Sequence, residues 1–232
     1  MSARVGVVVF PGTCDDRDAL RAVALMGSEP VTVWHADRDL GGVDAVIVPG
    51  GFSYGDYLRP GALAALSPAM QAVREHAERG GPVLGICNGF QVLTEAGLLP
   101  GVLRPNTSLR FRFQDVGLAV ERESGWLPGA SPGDVLRIPV KHHDGCYFAP
   151  PETVSELERH GQVLLRYRPN PNGSVGDIAC VTNRAGNVAG LMPHPEHAVD
   201  PLLGSTDGRI LLAGLVGLTP SLSLDSRTRS LV

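Results

Sequence analysis

The 232-residue chain has no hydrophobic run long enough to cross a bilayer. Its longest apolar stretch near the C-terminus, Ile210 to Leu218, is about half the ~20 residues a spanning helix needs. The apolar run after Arg4, Val5 to Phe10, is too short for an export signal and no cleavage site follows it, so no export or membrane segment is expected. Basic charge is not in excess. Lys and Arg number 20 against 24 Asp and Glu, a net charge of −4, which leaves no field to draw in a nucleic-acid backbone. No CxxC pair occurs. Cys14, Cys87, Cys146 and Cys180 stand far apart, and a chain of this size needs no stapling, so free thiols in a reducing cytoplasm are expected. Internal repeats and charge blocks are also missing.

What is present is core material. Hydrophobic residues make up 43% of the chain and charged residues 19%, which excludes global disorder. With 29 Gly and 19 Pro, many tight turns are expected. Arg4–Phe10, Val31–His35, Ala45–Val48 and Val83–Cys87 are short, apolar and β-branched, and read as buried strands. Asp15–Gly27 and Leu63–Arg79 read as helices, the first with Thr13 as a possible N-cap. Such alternation predicts an α/β fold, a mostly parallel open sheet with helices on both faces. In the second half, Leu109–Val120, Val135–Val140, Gln162–Tyr167, Ile178–Thr182 and Val188–Leu191 read as strands without long helices between them, an antiparallel section added to that sheet. A last helix is expected over Ser205–Leu215. The length suits one domain over residues 1–218, with a flexible Ser-, Thr- and Arg-rich tail over 219–232.

The sharpest local feature is Gly85-Ile86-Cys87-Asn88-Gly89, where the strand Pro82–Ile86 meets a helix over Asn88–Ala96. In so sharp a turn, side chains two before and two after the central residue would collide, so glycine serves at both places. The sulfur would project above the C-terminal edge of the sheet, where open α/β sheets place their sites. The positive end of the following helix favours thiolate over thiol. A lone cysteine ending a strand is more often a small buried hydrophobe. The paired glycines tilt Cys87 toward a nucleophile without choosing among hydrolases.

A thiol nucleophile needs a proton acceptor, and His194 in Pro193-His194-Pro195-Glu196 stands out. Prolines on both sides predict an extended backbone, in which Glu196 points the same way as His194 and can accept its ring N–H. The other ring nitrogen then faces the sulfur, a nucleophile–base–carboxylate triad. Alone, this segment reads as a chain reversal with solvated side chains; together with the Cys87 elbow it reads as a triad. His142-His143-Asp144 near Cys146 is not read as a metal site, because adjacent strand residues face opposite ways and no second cluster has ligand spacing. Pro49-Gly50-Gly51-Phe52 follows a buried strand, and the amide of Gly51 with that of Asn88 could bind a developing oxyanion. The spacing fits no phosphate loop.

With these residues assembled, the chain resembles the class I, triad-type glutamine amidotransferases. The resemblance rests on Pro49-Gly-Gly-Phe52, Gly85-Ile-Cys87-Asn-Gly-Phe-Gln91 and Pro193-His-Pro-Glu196. Within that class it is similar to the glutaminase subunits of phosphoribosylformylglycinamidine synthase. Phe10-Pro-Gly-Thr13, Gly51-Phe-Ser-Tyr-Gly-Asp-Tyr-Leu58, Ser108-Leu-Arg-Phe111, Asn170-Pro-Asn-Gly-Ser174 and Gly186-Asn-Val188 carry that closer likeness, which runs from Val5 to Leu218. The resemblance implies a flavodoxin-like architecture. It implies that Cys87 attacks the side-chain amide of glutamine, that His194 moves the proton and that Glu196 orients it. Gln91, Gly50 and Phe52 would help hold the substrate. The released ammonia would pass to a large synthetase subunit that uses ATP and Mg²⁺, assisted by a small accessory subunit, with no cofactor in this chain.

The chain departs from the subfamily pattern in three places. Asn-Cys-Asp after the first strand reads Cys14-Asp15-Asp16, His-Gly-Glu-Gly-Arg reads His142-His143-Asp144-Gly145-Cys146, and the arginine after Pro-His-Pro-Glu is His197. None of these is expected to touch the triad. Two other readings stay open: a free-standing cysteine amidohydrolase or peptidase on a related fold, and a non-catalytic regulatory subunit that keeps the fold.

Overall fold

The computed structural model describes residues 2–218, and the tail expected over 219–232 lies outside them. Within the described residues the order is β1 (Arg4–Val9), α1 (Asp16–Leu25), β2 (Glu29–Trp34), β3 (Ala45–Val48), α2 (Pro68–Glu78), β4 (Val83–Ile86), α3 (Asn88–Glu95), β5 (Val102–Arg104), β6 (Arg112–Val120), β7 (Val135–His142), β8 (Cys146–Phe148), α4 (Pro151–Arg159), β9 (Val163–Arg168), β10 (Ile178–Thr182), β11 (Val188–Leu191) and α5 (Gly208–Gly217). One sheet runs β2-β1-β3-β4-β11-β10-β9-β6-β7, and β5 pairs with β8 apart from it. The pairs from β2 to β11 are parallel. The pairs from β11 to β7 are antiparallel. This is the mostly parallel α/β sheet with an antiparallel section that the hydrophobic pattern predicts.

The parallel strands are continuous apolar runs because both faces are covered. Every residue of β3 and β4 is buried. Each Val, Leu or Ile so enclosed stabilises the fold by about 1.5–3 kcal/mol relative to exposure. From β1 the chain moves outward to β2, then returns to the other side of β1 for β3 and β4. Right-handed crossovers therefore put α1 and α2 on opposite faces and create a switch point between β1 and β3. The antiparallel half brings the edge strand β7 back over the site, where the His194 amide donates to the Pro139 carbonyl at 2.8 Å.

Several boundaries differ from those expected. The helix expected from Leu63 starts at Pro68, where Ser67 caps the Met70 amide and Pro68 suits the first turn; residues 64–66 form a separate 3₁₀ turn. Thr13 does not cap α1: its hydroxyl accepts the Phe10 amide, and Asp15 takes the cap position without a side-chain cap bond. The strand expected from Leu109 starts at Arg112, since Leu109 has a left-handed φ of 53°. Helix α4 has no counterpart among the expected elements; it is short, and Leu157 is its only fully buried residue.

Candidate active site

Three neighbouring strands deliver the site. In the order β3-β4-β11, the central β4 ends at Ile86, with Leu191 of β11 in register beside Ile86 and Val48 of β3 beside Gly85. The segments that follow, Pro49-Gly50-Gly51, Cys87 and Met192-Pro193-His194, therefore emerge side by side at one sheet edge. The Cys87 amide donates to the Leu191 carbonyl at 2.8 Å and locks two of them together.

Cys87 is a strained residue, with φ 52° and ψ −109°. The flanking glycines make the turn possible. A Cβ on Gly85 would stand 2.8 Å from the Gly89 carbonyl oxygen, and a Cβ on Gly89 would stand 1.8 Å from that of Val48. The Cys87 side chain is 7% exposed and its sulfur lies 3.7 Å from the Lys141 carbonyl oxygen.

His194 is wholly buried, and its Nδ1 lies 2.6 Å from Glu196 Oε1. The route differs from the one expected. Only His194 itself is near-extended, at φ −107° and ψ 86°; Pro195–His197 form a 3₁₀ turn that folds Glu196 back onto the ring. With Nδ1 donating to the carboxylate, Nε2 is left buried without a hydrogen-bond partner. Burial by itself would lower the His194 pKa, but the charges of Glu196 and Cys87 outweigh it and hold the imidazole above its usual value.

Contrary to the expectation that they stay clear of the triad, the departures at positions 15 and 197 meet these residues. Asp15 Oδ2 lies 3.7 Å from His194 Nδ1, and His197 Nε2 lies 3.3 Å from Asp15 Oδ1 and 3.6 Å from Glu196 Oε1. Gly50 permits the approach: a Cβ there would sit 2.4 Å from Asp15 Oδ2 and 2.8 Å from His194 Cε1. Lys141 completes the cluster by bonding Asp15 Oδ1. Burial alone would raise the Asp15 pKa, yet His197, His194 and Lys141 together hold it well below the usual carboxylate range.

Beside Cys87 opens a pocket of about 90 Å³, whose walls include Cys14, Gly51, Phe52, Asp56, Gln91 and His142. Gly51 has φ 148°, and a Cβ on it would stand 2.6 Å from the Cys14 amide nitrogen. The neighbouring amides of Cys14, Asp15 and Phe52 are bonded to backbone carbonyls. The Asn88 amide heads α3, ahead of its first intrahelical bond. Gln91 is fixed at both ends of its amide, by Asn88 Nδ2 at 2.8 Å and the Asp144 carbonyl at 2.7 Å. Phe52 is half-exposed at the rim. Gly50 lies behind the pocket rather than in its wall, against Asp15 and His194.

Sequence reasoning assigned no role to Asp15, Asp56, Lys141, His142 or Asp144, all of which line this pocket. Asp56 lies inside the Gly51–Leu58 motif, and its left-handed φ of 53° marks a constrained turn. Burial, with Asp144 nearby, pushes its carboxyl up to about 6. His142 had a local signal, since alternation along β7 turns it inward and His143 outward. Its Nδ1–H donates to Asn106 Oδ1 at 3.1 Å, because the Asn106 amide nitrogen already serves two carbonyls. Burial, with His194 near, holds His142 neutral, at about 3. Asp15 and Lys141 had no local signal, because they meet across 126 positions.

A model of the CobB/CobQ-like glutamine amidotransferase domain matches residues 2–209. Phosphoribosylformylglycinamidine synthase subunit PurQ of Corynebacterium efficiens is 56% identical over 219 residues, covering 94% of this chain and 98% of that protein. The protein of the same name from Rubrobacter xylanophilus is 58% identical over 216 residues, covering 91% and 98%. Among solved structures, a chain of PurLQS from Thermotoga maritima matches with a TM-score of 0.86 and 43% identity, covering 93% of this chain and 98% of that one. A putative GMP synthase subunit from Thermoplasma acidophilum, at 15% identity and a TM-score of 0.70, shares the fold. The chain thus belongs to the CobB/CobQ-like glutamine amidotransferase family, and within it to the PurQ subunits.

Proposed function

We infer that this chain is the glutaminase subunit of phosphoribosylformylglycinamidine synthase, releasing ammonia from glutamine for purine biosynthesis. The observation that carries the mechanism is that Cys87, on a left-handed turn after β4, and a buried His194–Glu196 pair after β11 emerge from neighbouring strands, with His194 Nε2 left without another partner. His194 Nε2 takes the Cys87 proton as the sulfur attacks the side-chain amide carbon of glutamine. The oxygen of the tetrahedral adduct takes the charge, and the amides of Gly51 and Asn88 stabilise it. His194 returns the proton to the leaving nitrogen, ammonia departs and a glutamyl thioester remains. Water, deprotonated by His194, then releases glutamate and restores the thiol. Glu196 holds the ring in the tautomer that these transfers need.

Gln91 and Phe52 wall the substrate, while Gly50 serves by being small. Asp56 and Asp144 give the pocket a negative side suited to the α-ammonium of glutamine. The ammonia passes to a large synthetase subunit, which holds ATP and Mg²⁺ and works with a small accessory subunit; this chain carries no cofactor of its own. Exposed Phe52 and Phe111 at the pocket and Phe113 at the adjoining cavity support such a docked state. The free thiols of all four cysteines suit the cytoplasm as the place of work. Among the described residues no helix is long and apolar enough to cross a membrane.

The test is the Cys87→Ala variant in complex with its partners. Glutamine-dependent synthesis should vanish while ammonia-dependent synthesis continues. Near wild-type use of glutamine by that complex would refute the assignment. Hydrolysis of unrelated amides without any partner would favour a free-standing hydrolase. Complex formation with no glutaminase activity in the unsubstituted chain would mark a regulatory subunit.

A further inference from the structure

Lys141 is the chain's only lysine among 20 basic residues. It stands near the end of β7, at the edge of the sheet, yet its ammonium is bonded to Asp15 from the loop after β1. Its backbone carbonyl lies 3.7 Å from the Cys87 sulfur. Its side chain is 30% exposed, whereas that of Asp15 is 5% exposed. It also stands between two spaces: the pocket beside Cys87 and an open cavity of about 500 Å³ that reaches His194 and His197.

Asp15 is the unusual member of the site. A second buried carboxylate near His194 Nδ1 competes with Glu196 for one ring N–H. Too enclosed to be hydrated, it must take a proton, take a cation, or draw the ring away. The donor atoms of Asp15, His194, Glu196 and His197 lie within 4.8 Å of one another, a set with the composition of a metal site. Here His194 and Glu196 are engaged with each other, and Lys141 brings the cation from within the chain. Asp15 and His197 are both departures from the subfamily motifs, and they touch. Lys141 bonds the same Asp15 oxygen.

We propose that Lys141 neutralises Asp15 as a tethered ion pair and so leaves the His194 ring N–H to Glu196. Lys141 is a positioning residue that works through Asp15. The proposal rests on the triad reading above. That reading fails on its own terms if the Cys87→Ala complex still uses glutamine; the ion pair is judged by comparing variants that keep the triad intact.

The experiment uses the assembled complex with Lys141→Met, Lys141→Arg, Asp15→Asn and the double variant Asp15→Asn/Lys141→Met. Glutaminase kcat and KM are measured across neutral pH, together with alkylation of Cys87 by iodoacetamide. The charged or titrating groups facing His194 are Glu196, Asp15, Cys87, His142, His197 and Lys141. Lys141→Met, which leaves Asp15 to compete for the ring, should lower kcat about tenfold to a hundredfold, as for loss of a charge-assisted hydrogen bond, with a smaller change in KM; Asp15→Asn, which removes the competing charge, should lose less. Both should displace the pH profiles of kcat and of alkylation. Lys141→Arg, which keeps the charge, should recover most of the loss. The double variant should lose no more than the worse single one, because partners in one unit do not add. Ammonia-dependent synthesis should persist throughout, which separates the effect from misfolding; if Lys141→Met does not assemble, Lys141→Gln takes its place. Wild-type kcat and pH profile in Lys141→Met, an Arg variant as impaired as the Met variant, or additive losses in the double variant would each overturn the proposal.

Discussion

His194 lies between two carboxylates with unequal holds on it, Glu196 at 2.6 Å and Asp15 at 3.7 Å. In the proposed mechanism the nearer one orients and the ring is the base, so removing the carboxylate should cost less than removing the imidazole. His194→Ala should lower glutaminase kcat by about 10²–10⁴-fold, the usual worth of proton transfer by a placed side chain. Glu196→Gln should lose less, and single-turnover thioester formation by the two variants would reveal a reversed order. Asp56 gives a second test. Its carboxyl is raised to about 6, so it is charged above that pH and neutral below. If it holds the α-ammonium, KM for glutamine should climb as pH falls through that value, while Asp56→Asn should raise KM and flatten the climb. A wild-type KM that stays level on acidification would count against this role. At this scale the His194–Glu196 partnership was legible from a spacing of two residues. The reason was not, since a 3₁₀ turn rather than an extended segment makes the contact.

The β4–α3 junction is an element whose form rests on absent atoms. A methyl group at Gly89 would meet the Val48 carbonyl, which belongs to the sheet and cannot move aside. Gly89→Ala should therefore cost about 1–3 kcal/mol or more, as overpacking does. It should also reduce Cys87 alkylation, and urea unfolding with iodoacetamide labelling checks both. Gly217→Ala is the matched control: it lies in α5 with nothing within 4 Å of the added methyl, and should stabilise by about 0.4–1 kcal/mol. The elbow was readable because its steric rule is local, covering five residues. The start of α2 was less so. Leu63 to Leu66 share the apolar character of the helix, and only the Ser67 cap with Pro68 decides where it begins.

As a whole molecule, the chain presents its site on a surface that is not finished. Phe113 is 78% exposed beside the Lys141 cavity, and Leu203, which also lines it, is 56% exposed. Phe113→Glu should weaken assembly with the synthetase about tenfold, as for a moderate interface contact, and leave the thermal midpoint of the isolated chain unchanged. Titration calorimetry with the partner measures it; unaltered affinity would move the interface elsewhere. From its amino-acid order alone, the chain's strands, its Cys87 turn and its Pro-His-Pro-Glu segment could be recognised, because each depends on neighbours a few residues apart. The strand order β3-β4-β11 that brings Gly51, Cys87 and His194 together, the folding of β7 over them, and the joining of Asp15 to Lys141 belong to tertiary structure. They depend on which distant segments share a sheet edge, and on Gly50 leaving room for a second carboxylate behind the imidazole.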